Sequence, residues 1–199
     1  AEYCRDINES GDYLLGVIND ILDMSKIEAG RLALDIEPVD LNAILDETLR
    51  IVSFQAQDQD IGIDAEVAGN ISLNADRRAP TNIALNLLSN AVKFSRPGGR
   101  VRVRARTIGD SLAVTIADRG IGISTADLKK LGRPFEQVQN QFTKSHKGSG
   151  LGLAISRSLA QMHGGSMKIR SREGRGTIVS LRLPLGPQGA PSGKEGAPS

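Results

Sequence analysis

Apolar residues recur along this chain at two periods. Over residues 1–30, Ile7, Gly11, Leu14, Ile18, Ile21 and Ser25 fall at alternating steps of four and three, flanked by Leu15 and Leu22. That spacing lays a narrow stripe along a helix, like the seam of a coiled coil, and Gly30 is a favourable stop. Two readings stand open: an amphipathic helix lying on its own domain, or half of a helical bundle that dimerises. After Gly30, "RLALDIEPVD" predicts a short strand, and Asp40 then caps a helix reaching about Asp58. "DIGIDAEV" and "ISLNA" read as strands and "APTNIALNLLSNAVKF" as a helix. Pro80 is comfortable only in a first turn, which places that helix start at or just before it. "RVRVRART" and "SLAVTIAD" form a hairpin about Gly109 and Asp110. A short helix capped by Ser124 over 124–132, an aperiodic polar stretch over 134–147 and a helix over 150–163 follow. Two last strands, "SMKIRSR" and "GTIVSLRLP", are joined through Glu173–Gly174–Arg175–Gly176. Helices and strands mix without regular βαβ repetition. The fold class expected is α+β: a two-layer sandwich with helices on one face of a mixed sheet, preceded by a long N-terminal helix.

Composition narrows the function classes. A chain of 199 residues can bury a sizeable core in one main domain. A net charge of +2 and an aromatic content of 3% give no case for nucleic acid. One cysteine, Cys4, excludes an internal disulfide, and two histidines beside it make a Cys/His zinc site improbable. No apolar run approaches the roughly 20 residues that span a bilayer, and no signal peptide is visible. The expectation is a soluble, cytoplasmic chain without direct membrane contact. "GPQGAPSGKEGAPS", residues 186–199, has nothing to bury and is expected to be disordered. The chain starts mid-helix without a Met, as a piece of a longer protein would.

Three stretches carry candidate chemistry. In "NLLSNAVKF", Asn86, Asn90, Lys93 and Phe94 share one helix face. Amide oxygens are hard ligands suited to Mg²⁺, and a lysine pairs with phosphate; a solvated polar face is the plainer alternative. "DRGIG" sets Asp118 at a strand end before Gly120 and Gly122, where a carboxylate accepts a hydrogen bond from an adenine amino group, or where the chain simply turns. "KSHKGSGLGL" places Gly148, Gly150 and Gly152 against a helix start, with Lys144, His146 and Lys147 upstream. Backbone N–H groups there favour an anion. This stretch fits neither the P-loop nor the dinucleotide fingerprint, since Leu153 stands where the last glycine belongs. His146 and His163 suit solvated or packed positions better than catalysis.

In this order, closed by "GRGT" at 174–177, the motifs resemble the ATP-binding domain of bacterial sensor histidine kinases, which share the Bergerat fold with gyrase, Hsp90 and MutL. "NLLSNAVKF" resembles the N box, "DRGIG", "GSGLGL" and "GRGT" the three glycine boxes, and "RPFEQ" the F box. "LGRPFEQVQNQFTKSHKGSGLGLAISRSL" is similar to the PleC/DivJ-type cell-cycle kinases of alphaproteobacteria, and "LLGVINDILDMSKIEAGR" to the second helix of their dimerisation and phosphotransfer domain. The resemblance implies a partial dimerisation domain over 1–30, a catalytic domain over 31–185 with an ATP lid over 136–147, and a tail over 186–199. It implies that Asn90 coordinates Mg²⁺ with Asn86 assisting, that Asn86 and Lys93 are the catalytic candidates, and that Phe94 packs near the adenine. Asp118 would read the adenine amino group, Gly120, Gly122 and Ile123 would shape the pocket, and Thr177 would lie near the base. Phe135, Lys144, Lys147, Gly148, Ser149, Gly150, Leu151, Gly152 and Leu153 complete the nucleotide-binding set. Implied with these are ATP or ADP as nucleotide, a response-regulator receiver domain as partner, and a homodimer through the helical bundle. Gly132 stands where the F box usually carries a second aromatic, and the phosphoacceptor His motif does not occur in these residues. Gyrase- and Hsp90-type ATPases carry a water-activating glutamate where Asn86 stands, and an amide takes no proton. A nucleotide-binding module without chemistry is the other alternative.

Overall fold

The computed structural model describes residues 2–131 and 149–186, and of 2–10, 12 and 13 the backbone alone. The ATP-lid stretch 136–147, Phe135, Lys144, His146, Lys147, Gly148 and 187–199 lie outside the described residues, as does the side chain of Cys4. A long helix, α1 (Glu2–Glu28), leads into β1 (Glu37–Asp40), α2 (Leu41–Asp58), β2 (Gly62–Val67), β3 (Ser72–Ala75) and α3 (Arg78–Lys93). The hairpin β4 (Arg100–Ile108) and β5 (Ser111–Ala117) follows, then α4 (Thr125–Leu128), α5 (Gly152–Met162), β6 (Ser166–Arg172) and β7 (Gly176–Pro184).

The main sheet runs β2-β4-β5-β7-β6; β2 and β4 are parallel and the other pairs antiparallel. Alternation along β4 and β5 turns Val101, Val103, Ala105, Leu112, Val114 and Ile116 inward. Against them pack the apolar faces of α2, α3 and α5, including Ile44, Leu45, Ile83, Leu88, Val92 and Leu159. No described helix covers the opposite face of the sheet, and the α+β two-layer reading holds. A second sheet, β1 paired antiparallel with β3, was not predicted as a pair.

Local signals explain most element boundaries. The Asp40 carboxylate accepts from the amides of Asn42 and Ala43, capping α2 as its sequence predicts. Ser124 does the same for α4 through the Asp127 amide, though α4 ends at Leu128 and turns follow over 129–131. Pro80 is the third residue of α3, within the first turn. Only the last four residues of "RLALDIEPVD" are strand. On α1, Met24 and Ile27 reach the core, whereas Leu14 and Leu15 stay 58% and 60% exposed and Ile18, Ile21 and Leu22 are exposed with them. From Leu14 to Leu22 the predicted seam is therefore not buried by the described residues.

A buried polar knot anchors α3 before the site. Asp76 is 4% exposed, takes the Arg78 guanidinium at 2.9 and 2.5 Å, and accepts from the Arg78 and Asp35 amides. His163 Nε2 accepts from the Asp76 amide at 3.1 Å while its Nδ1 donates to the Leu159 carbonyl, so this histidine is packed and structural. The Arg78 side chain holds the Asp76 carboxyl down from 3.8 to about 2. Its contribution is thus complete above pH 3.8 and lost as pH falls toward 2. Asp76→Ala, which removes the acceptor of four hydrogen bonds, is expected to lower stability by about 2 kcal/mol in urea denaturation at pH 7. The deficit should shrink as pH falls from 3.8 through about 2.

Candidate functional site

Strand ends and helix faces meet in a cavity of about 980 Å³ between α3, α5 and the sheet, with α1 along its mouth. That volume is within the range of small-molecule sites. Ile116, Ile169 and Val179 supply an apolar floor from β5, β6 and β7. Asp118, the residue after β5, stands at one wall. Its Oδ1 accepts from the Gly120 amide at 2.8 Å and the Thr177 amide at 3.2 Å. Both donors spend themselves on one oxygen, leaving Oδ2 without a partner among the described residues. Burial pushes the Asp118 carboxyl up, opposed by the Gly120 and Thr177 amides.

The loop after Asp118 needs its glycines for want of space. A Cβ on Gly120 would meet the Phe94 carbonyl oxygen at 1.9 Å, and that same oxygen accepts from the Ile121 amide. Gly122 has φ +66, and a Cβ there would strike the Arg172 carbonyl oxygen at 2.0 Å. Ser171 ties the loop to β7. Its hydroxyl accepts from the Ile123 amide at 2.9 Å, donates to the Gly176 carbonyl at 2.7 Å and lies 2.9 Å from the Thr177 hydroxyl.

The facing wall belongs to α3. Asn86 and Asn90, one turn apart, form an amide relay: Asn86 Nδ2 donates to the Ser156 hydroxyl at 2.8 Å, and Asn90 Nδ2 donates to Asn86 Oδ1 at 3.0 Å. Both ends of the Asn86 amide are engaged, and Asn90 Oδ1 is the amide oxygen of the pair that no described donor takes. Gly152 opens α5 against this relay; a Cβ there would lie 2.3 Å from Asn86 Oδ1. Lys93 lies over the Phe94 ring at 5.4 Å, and burial pulls its ammonium below the usual lysine range. Asn90 and Lys93 thus give a hard oxygen and a positive charge opposite the carboxylate. No group of three or more His, Cys, Asp or Glu able to hold a metal occurs among the described residues. A divalent cation fits here only if a ligand brings most of its oxygens.

Twelve candidates from the sequence line this one cavity: Asn86, Asn90, Lys93, Phe94, Asp118, Gly122, Ile123, Ser149, Gly150, Gly152, Leu153 and Thr177. Gly120 lies beneath it, pressed on α3. Leu151 does not line it: with no exposed surface, its side chain belongs to the core under α5. Sequence reasoning missed Ser156 and Ser171, whose hydroxyls are legible only once distant elements meet. It also missed the α1 wall, where Asn19, Asp20, Asp23 and Lys26 reach the cavity and Asp20 Oδ2 accepts from the Ser149 hydroxyl at 2.6 Å.

Comparison with known proteins gives this geometry a context. Residues 75–187 match the family "Histidine kinase-, DNA gyrase B-, and HSP90-like ATPase". The chain is 44% identical over 187 residues to the non-motile and phage-resistance protein of Caulobacter vibrioides, covering 92% of this chain and 22% of that protein. To the histidine protein kinase DivJ of the same organism it is 45% identical over 186 residues, covering 93% and 31%. The chain therefore spans less than a third of the length of either relative. Among solved structures, full-length ShkA in complex with AMPPNP superposes with a TM-score of 0.79 at 29% identity, over 92% of this chain and 38% of that one.

The relay makes its own prediction. Gly152→Ala should push Asn86 off its partners and lower stability by about 1–3 kcal/mol, and Ser156→Ala should cost about 1 kcal/mol. Because both act through Asn86, the double variant should lose less than the sum in denaturation experiments.

Proposed function

The chain belongs to the family of histidine kinase-, DNA gyrase B- and HSP90-like ATPases, and from that premise we propose that it is the ATP-binding catalytic part of a two-component sensor histidine kinase. One observation carries the reading. Across a single cavity, an Asp118 oxygen left open for a donor faces the Asn90 amide oxygen and the Lys93 ammonium. A purine amino group suits the first and a triphosphate the other two. The AMPPNP held by ShkA, a relative in fold and sequence, supports the same assignment.

Asn90 would hold Mg²⁺ through its Oδ1, with phosphate oxygens and water completing the shell. Bound there, the cation neutralises charge on the phosphates. Asn86, whose amide engages both Ser156 and Asn90, orients Asn90 and so assists it. Lys93, already partly desolvated, approaches the phosphates as a point charge. Phosphoryl transfer asks mainly for positioning and charge neutralisation. In the intact dimer the γ-phosphoryl would pass to a histidine outside these 199 residues, then to an aspartate of a receiver domain. The exposed stripe of α1 supports its assignment, over 1–30, as the second helix of the dimerisation bundle, with 31–185 as the catalytic domain. No described helix is long and apolar enough to cross a membrane, and we place this part of the protein in the cytoplasm.

Calorimetry should detect ADP or ATP binding that Mg²⁺ strengthens, and absence of binding at millimolar nucleotide overturns the reading. Asn90→Ala should remove the Mg²⁺ effect while weaker binding persists. Asp118→Asn should weaken binding about tenfold or more, the loss of a charge-assisted hydrogen bond. A protonated Asp118 offers a donor where the purine offers one too, so wild-type affinity should fall on acidification through a midpoint above the ordinary 3.8. In Asp118→Asn this pH dependence should disappear. Incubated alone with γ-labelled ATP, the chain should acquire no acid-labile label.

A further inference from the structure

The face of the sheet opposite α2, α3 and α5 is basic, and its charge is concentrated at one end. Across the strands, Arg102 sits opposite Ala117, Ala117 opposite Ile178, and Ile178 opposite Arg170. One step further along, Arg172 sits opposite Gly176. Two arginine walls on β4 and β6 thus stand three strand spacings, about 14 Å, apart over a floor of Ala117 and Ile178. Arg119, after β5, and Arg175, in the β6–β7 turn, close the same end, and together they line a cavity of about 740 Å³. Arg100 also lines it but is held by Asp64 at 2.9 Å. The other five guanidiniums, all exposed, have no ion pair among the described residues. A chain of net charge +2 that gathers so many unpaired arginines in one concavity has a local field well above its average.

We propose that this concavity is a second ligand site, for a polyanion bearing two or more phosphoryl groups. Guanidinium forks match phosphoryl oxygens bidentately. Five forks from β4, the loop after β5, β6 and the β6–β7 turn exceed what one phosphate can engage, and their spread suits groups several ångströms apart. No aromatic side chain lines the cavity among the described residues, and charge rather than a base provides recognition. The site stands behind the purine-facing carboxylate: Asp118 lines both cavities, while Thr177 lines the inner and Gly176 the outer. It rests on the arginines and not on the nucleotide reading.

Inorganic tripolyphosphate, titrated calorimetrically into the 199-residue chain with saturating ADP and equal Mg²⁺ in both solutions, tests it. About one equivalent should bind. Affinity should fall at least tenfold in Arg102→Glu/Arg172→Glu, and several-fold in the milder Arg170→Gln/Arg175→Gln, with circular dichroism and ADP binding retained. No binding to the ADP-saturated chain, or equal affinity in folded variants, overturns the proposal. Phosphatidylglycerol vesicles form a parallel arm. Sedimentation with vesicles that tripolyphosphate competes away and that the same substitutions abolish assigns the phosphoryl groups to a lipid surface. Tripolyphosphate binding without vesicle binding assigns them to a free ligand.

Discussion

A single carboxylate oxygen ties this site together. Asp118 Oδ1 accepts two amides, one from the loop that follows β5 and one from the first residues of β7. The loop after β5 lies beyond Ala117, the last paired residue of its strand, so sheet pairing alone would not hold it. The arrangement is expensive in desolvation, which is why burial pushes the Asp118 carboxyl up, and it is affordable only because two N–H groups are aimed at the charge. The glycines follow from this constraint. With the loop drawn down to the C-terminus of α3 and to β6, there is no room for a Cβ at 120 or 122.

The opposite wall obeys the same logic with neutral groups. Two amides on one helix face next to a core need partners, and the α3 pair finds them in each other and in Ser156. Donation runs one way, from Asn90 to Asn86 and from Asn86 to Ser156, so the relay ends in one outward oxygen. Gly152 is the reason α5 can lie close enough to deliver Ser156. A rigid oxygen on one wall and a rigid carboxylate on the other, over an aliphatic floor, set what can bind before anything does.

What was legible in the sequence was local. The Asp40 and Ser124 caps, the hairpin about Gly109 and Asp110 and the place of Pro80 each depend on residues within a few positions. The motif order brought Asn90, Lys93, Asp118 and Thr177 together because a family resemblance encodes distance that periodicity does not. What stayed hidden was long-range. Ser171 contacts Ile123 across 48 positions and Ser156 contacts Asn86 across 70, and a serine in a polar strand or helix gives no sign of such a partner. The β1–β3 pairing escaped notice because both strands are four residues long. Leu151 was misjudged for a related reason: a motif marks a segment, while the helix period decides which of its side chains turn inward.

The N-terminal helix joins two surfaces that would otherwise be independent. Its apolar stripe is exposed at Leu14, Ile18 and Ile21, while Asp20 and Asp23, within a turn of that stripe, reach the cavity mouth. Asp20 holds the Ser149 hydroxyl, and Ser149 in turn accepts from the Leu151 amide at the start of α5. A helix is stiff over such a distance, so rotation of α1 about its own axis to bury the stripe against another helix would carry Asp20 with it. Covering the stripe and holding Ser149 are therefore not separable properties of α1: the helix with the exposed apolar stripe is also one wall of the site.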